Sequence, residues 1–208
     1  MNFLEKYGLK IILILFLTFS YSIIAETKKL LILGDSISAG YGLKKSENWV
    51  QLLEASLSMS GNKLEIINSS ISGDTTIGGL SRIESDLEKH KPNYVLIELG
   101  GNDALRGYPI EKIKSNLLKI IDASFAAEAN PMIMQIRIPP NYGKNYVAAF
   151  ESIYSEIAKE KNIPKLTFLL EKVALDKSLM QLDGIHPNAK AQPLIANQVE
   201  IEIKKIIQ

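Results

Sequence analysis

Residues 30–40 read LLILGDSISAG, and this stretch decides the fold. Four apolar residues, Leu30 to Leu33, suit a strand covered on both faces. They stop at Gly34, and small polar residues follow, as where a buried strand gives way to a helix. The pattern repeats. Leu64–Ile67 is a second short apolar run, and Tyr94–Leu99 is a third that stops at Gly100-Gly101. Met132–Ile138 is a fourth that stops at Pro139-Pro140, and Leu166–Leu170 is a fifth. Between them lie helix-length segments with apolar residues at helical spacing: Asn48–Leu57, Thr76–Lys89, Ile110–Ala129 (closed by Asn130-Pro131), Tyr146–Lys161 and Ala189–Ile207. Strands alternating with helices predict an α/β fold with an open parallel sheet and helices on both faces. No internal repeat or linker interrupts the pattern, so one three-layer domain over residues 27–208 is expected.

The composition sets the outer bounds. Of the 208 residues, 46% are hydrophobic and 23% charged, an ordinary globular balance, and the net charge of +1 gives no reason to expect nucleic acid as a partner. There is no cysteine, which excludes disulfides, thiol nucleophiles, Cys-ligated zinc and lipid attachment to an N-terminal cysteine. The chain opens with Lys6 and Lys10, an apolar run from Ile11 to Phe19, and small residues up to Ala25. This reads as a secretory signal, residues 1–25, cleaved after Ala25, rather than as a membrane span. A periplasmic or secreted protein with no stable membrane span is expected. Cleavage removes Lys6, Lys10 and Glu5 and leaves the chain formally neutral.

In open parallel sheets, ligands gather at the carboxyl ends of the strands. Three small-residue motifs fall there: Gly34–Gly40, Ser70–Thr75 and Gly100–Asp103. Taken alone, Gly34-Asp35-Ser36 reads as a helix cap. It also lacks the second glycine of a G-x-S-x-G nucleophile elbow. Asp183-Gly-Ile-His186 supplies what a serine nucleophile needs. The spacing lets the carboxylate orient one ring nitrogen while the other takes a serine proton. The chain has only two histidines, and His90 reads as a helix-end residue facing solvent, so His186 is the candidate base. A tetrahedral acyl intermediate also needs donors for its oxyanion. The Ser36 amide, the Gly73 amide and the Asn102 side chain are candidates, although glycine and asparagine are common in plain turns. Asp35, Asp74 and Asp103 border the same edge without metal-ligand spacing. Asp35 and Asp74 are expected to brace loops, and no metal or cofactor is expected. Trp49 is expected in or near the core, and the Lys- and Glu-rich stretch 143–161 as a solvated helix face.

Four ordered blocks point further. LILGDSISAGYG (31–42), ISGDT (71–75), VLIELGGNDALRG (95–107) and QLDGIHPNAKAQP (181–193), with MQIRIPPNYG (134–143) between them, resemble the SGNH or GDSL-type hydrolases. The family takes its name from Ser, Gly, Asn and His, here Ser36, Gly73, Asn102 and His186, and Ile37 stands where the GDSL name has leucine. The likeness runs from about Lys29 to the C-terminus and is strongest to the bacterial periplasmic branch with thioesterase, lysophospholipase and arylesterase activity. It implies a flavodoxin-like sheet of order 2-1-3-4-5. It makes Ser36 the nucleophile, His186 the base and Asp183 its orienter, with Ser36, Gly73 and Asn102 as the oxyanion hole. Residues Ala104–Pro109 would resemble a mobile loop bordering the acyl groove. The expected partner is a small acyl ester or thioester, and the expected state a monomer. Two other readings stand beside it. One is a sugar or polysaccharide deacetylase of the same superfamily. The other is a flavodoxin-like phosphate or nucleotide binder using Gly34–Gly42, a stretch that lacks both the Walker and the G-x-G-x-x-G signatures.

Overall fold

The computed structural model describes residues 27–61 and 63–207. The signal-like segment 1–25 lies outside the described residues. Five strands, β1 (Lys28–Gly34), β2 (Leu64–Asn68), β3 (Tyr94–Glu98), β4 (Asn130–Met134) and β5 (Lys165–Leu166), form one sheet in the order β2-β1-β3-β4-β5, and every pairing is parallel. The expected order 2-1-3-4-5 is therefore observed. The helices are α1 (Ser36–Ala39), α2 (Trp49–Met59), α3 (Thr76–His90), α4 (Gly101–Leu105), α5 (Ile110–Ala126), α6 (Lys144–Lys161) and α7 (Gln192–Ile206). α2 packs on α7, whereas α3, α5 and α6 pack side by side, giving the two outer layers.

Leu30 to Leu33 and Val95 to Ile97 are fully buried because helices cover both faces of the central strands. Each such side chain contributes about 1.5–3 kcal/mol relative to exposure. Trp49 lies wholly within this core. α6 exposes its lysines and glutamates as expected and buries Phe150, Ile153, Tyr154 and Ile157.

The fifth run forms a strand over only two residues. After Leu166 the backbone turns to α7, where the Thr167 amide donates to Glu202 Oε2 (2.8 Å) and the Phe168 carbonyl accepts from Gln198 Nε2 (2.9 Å). β4 stops early for the same reason: past Met134 its neighbour has left the sheet. α5 ends at Ala126, three residues sooner than expected. Glu128 takes a positive φ of 59°, and Asn130-Pro131 opens β4 rather than closing the helix. α7 starts at Gln192 instead of Ala189, since residues 188–191 form a turn in which Asn188 Oδ1 accepts from the Lys190 amide (2.9 Å). His90 ends α3 half-buried, its carbonyl 3.5 Å from Lys29 Nζ. That is the edge where β3 begins, opposite the carboxyl ends.

Candidate active site

The Gly34–Glu98 register of β1 and β3 fixes the base of the site. A Cβ on Gly34 would lie 2.7 Å from Glu98 Oε2, 2.8 Å from Ser70 Oγ and 2.9 Å from Ser38 Cβ, so a side chain here would force the strand ends apart. The chain then turns into α1. Asp35 is the N-cap, its Oδ1 accepting from the Ile37 amide (3.0 Å), and Ser36 is the first helical residue. The cap reading of this tripeptide thus holds for Asp35, which leaves the Ser36 side chain free for other partners.

His186 arrives on the loop that precedes α7. Its Nε2 lies 2.9 Å from Ser36 Oγ, and its Nδ1 lies 2.7 Å from Asp183 Oδ2. Asp183, an acceptor only when ionised, places the ring proton on Nδ1 and leaves Nε2 to accept from the serine hydroxyl. The other Asp183 oxygen accepts from the Ile185 and His186 amides (2.9 and 3.0 Å). Partial burial works against the Asp183 charge, yet these amide and ring hydrogen bonds outweigh it and hold the carboxyl down to about 2. Gln181 anchors the loop: its amide donates to the His186 carbonyl (2.7 Å), and its side chain donates to the Tyr41 carbonyl (2.8 Å). The Tyr41 ring lies 4.5 Å from the imidazole, centroid to centroid.

Two loops complete the edge. Gly73 adopts φ +81° after β2, a conformation that favours glycine, and its carbonyl accepts from Arg106 Nη2 (3.2 Å). Asn102, in the first turn of α4, donates from Nδ2 to Asp35 Oδ2 (3.1 Å) and to the Asp74 carbonyl (2.9 Å). Neither the Ser36 nor the Gly73 amide donates to a protein acceptor among the described residues. Ser36, Gly73, Asn102 and His186 line one cavity of about 690 Å³, in the range of small-molecule sites. Its walls are mainly apolar, among them Ile136, Ile138, Pro139, Phe168 and Leu170. Leu105, from the expected border loop Ala104–Pro109, also lines it.

Several groups at this edge escaped the sequence reading. Glu98 is buried at the end of β3, its Oε2 accepting from Ser38 Oγ (2.7 Å) and the Asp35 amide (3.3 Å). Burial first, then the nearby Asp35 charge, push its carboxyl well above the usual range. One acid inside the apolar run VLIEL was the available signal. Arg82 grips Asp74 Oδ2 through Nε and Nη2 (3.0 and 2.9 Å) and reaches Ser69 and Asp86 through Nη1. Asp103 is buried and accepts from the Thr76 amide and hydroxyl (2.9 and 2.6 Å), tying α4 to α3. Among the described residues, no group of three His, Cys, Asp or Glu side chains is arranged to hold a metal ion.

A doubly covered parallel sheet with Ser, His and Asp hydrogen-bonded in series at its carboxyl edge is an arrangement that serine hydrolases use. The chain belongs to the GDSL-like lipase/acylhydrolase family, whose model matches residues 32–193. It is 43% identical to thioesterase 1/protease 1/lysophospholipase L1 of Escherichia coli, across the whole of this chain and 98% of that protein. It is 46% identical to an arylesterase of Vibrio mimicus over 86% of this chain and 90% of that one. Among solved structures, the esterase EstA of a Pseudoalteromonas species, inhibited by monoethylphosphonate, superimposes with a TM-score of 0.85 at 43% identity, covering 86% of this chain and 98% of its own.

Proposed function

We propose that the protein hydrolyses acyl esters and thioesters through an acyl-enzyme on Ser36. The observation that carries this reading is the hydrogen-bonded series from Ser36 Oγ through the His186 ring to Asp183, beside a largely apolar cavity. His186 Nε2 takes the hydroxyl proton as Ser36 Oγ attacks the acyl carbonyl, and Asp183 steadies the imidazolium. The Ser36 amide, the Gly73 amide and the Asn102 side chain hold the oxyanion. His186 then protonates the departing alcohol or thiol. Water, deprotonated by the same ring, attacks the acyl-enzyme and frees the acid and Ser36.

The apolar lining favours an acyl chain over a polar sugar acceptor, and the names of the relatives point to the same substrate class. The N-terminal segment supports export with cleavage after Ala25, and among the described residues no helix is long and apolar enough to cross a membrane. Outside the cytoplasm, lysophospholipids and other esters are easier to meet than acyl-CoA. Every group in the reaction comes from one chain, which supports a monomeric catalyst. The test is a series of p-nitrophenyl esters from acetyl to lauroyl, set beside an acetylated sugar. Turnover should favour the longer acyl chains, and activity confined to the acetylated sugar would overturn the substrate assignment.

A further inference from the structure

The Asn102 amide is fully engaged. Both of its N–H bonds have acceptors, the Asp74 carbonyl at 2.9 Å and Asp35 Oδ2 at 3.1 Å, so the group meant to receive an oxyanion is held by a carboxylate. The second oxygen of that carboxylate, Asp35 Oδ1, caps α1 through the Ile37 amide and so sets the direction of the first-turn amides, including that of Ser36. One buried side chain therefore touches the elements that carry two of the three proposed donors. They come from different strands, β1 and β3, which Glu98 also joins through the Asp35 amide and the Ser38 hydroxyl, but Asp35 is the side chain that bonds both Asn102 and an α1 amide.

Resting on the Ser36 reading above, we infer that Asp35 is a positioning residue, aligning the Ser36 amide and the Asn102 side chain on one oxyanion. The alignment acts through hydrogen bonds: the longer contact to Asn102 lets the amide proton be shared with an incoming oxygen while the shorter bond to Asp74 keeps the side chain in place. Several titratable groups surround the Asp35 carboxyl. His186 faces Asp35 from the loop before α7, Glu98 from β3, Asp74 from the loop after β2 and Asp103 from α4. Burial raises the Asp35 carboxyl to about 6, against the pull of the Ile37 amide and of His186. Burial, and then the Asp35 charge, push the Glu98 carboxyl well above the usual carboxylate range.

The test uses Asp35→Asn and Asp35→Ser on the full domain, each also combined with Asn102→Ala. Serine is a good N-cap that retains an acceptor for the Ile37 amide but is too short to hold Asn102, so it separates a mere cap from the positioning role and serves if Asp35→Asn does not fold. Asn102→Ala alone should lower kcat by about 10²–10³. Each Asp35 variant should lower kcat by about tenfold or more with little change in KM, as expected when an interaction is made only in the transition state. In the Asn102→Ala background the same change should cost less, because one of the two groups it acts through is gone. Wild-type kcat, or equal losses in both backgrounds, would overturn the inference while leaving the Ser36 reading intact. Wild-type kcat in Asn102→Ala would remove the oxyanion assignment and this inference with it.

Discussion

The two halves of the site are built in opposite ways. The serine side is the continuation of a central strand: β1 ends in Gly34, and Asp35, Ser38 and Glu98 are buried around the turn into α1. The histidine side is a largely exposed loop, residues 181–187, in which the Gln181 amide donates to the His186 carbonyl and Asp183 Oδ1 accepts from the Ile185 and His186 amides. The contrast extends to the aspartate on each side, Asp35 and Asp183. Burial raises Asp35 to about 6, whereas amide donors hold Asp183 down to about 2. A nucleophile needs a fixed position, which the sheet supplies. A base that first accepts and then gives up a proton needs an orienter that stays charged, which the loop supplies.

If the histidine side is local in construction, damage there should fall on rate and spare the fold. Asp183→Asn should lower kcat by about 10⁴ by favouring the wrong tautomer of His186, as in other triads, while far-UV and near-UV circular dichroism remain those of the wild type. Loss of tertiary signal in this variant would mean that the loop supports the core after all.

A smaller effect should appear in the pH dependence of stability, with opposite signs on the two sides. Asp183 is easier to ionise folded than unfolded, so its contribution is present above the ordinary aspartate range near pH 4 and is lost as pH falls toward 2. Asp35 is harder to ionise folded, so its contribution is full below about pH 4 and is lost as pH rises through about 6. The Tm difference between Asp35→Asn and wild type should therefore move in the variant's favour between pH 4 and 7. That between Asp183→Asn and wild type should shrink below pH 4. Thermal melts across this range check both, and parallel curves would erase the distinction.

The same division decides what was legible in the sequence. Strands β1 and β3 announced themselves because burial on both faces demands unbroken apolar runs, and Gly34 and Gly100 marked their ends. β5 was overread: Leu169 and Leu170 are apolar because they are buried, yet the Thr167 amide and the Phe168 carbonyl bond to α7 side chains rather than to a strand. Ser36, Gly73, Asn102, Asp183 and His186 could be named because each sits in a short motif of small or polar residues at a strand or turn end. Glu98 and Gln181 could not, because their importance lies in partners far along the chain: Gln181 holds Tyr41, and Glu98 holds Ser38. A polar residue inside an element gives no sign of which distant group it will meet.

The central claim is that Ser36 is an activated nucleophile, and the most direct measurement is covalent labelling. Wild-type protein treated at neutral pH with a fluorophosphonate should gain one adduct, located by peptide mass spectrometry on the segment containing Ser36, as ester hydrolysis disappears. Ser36→Ala, still folded, should take up no label and show no turnover. Labelling of the Ser36→Ala protein, or hydrolysis by it near the wild-type rate, would contradict the account.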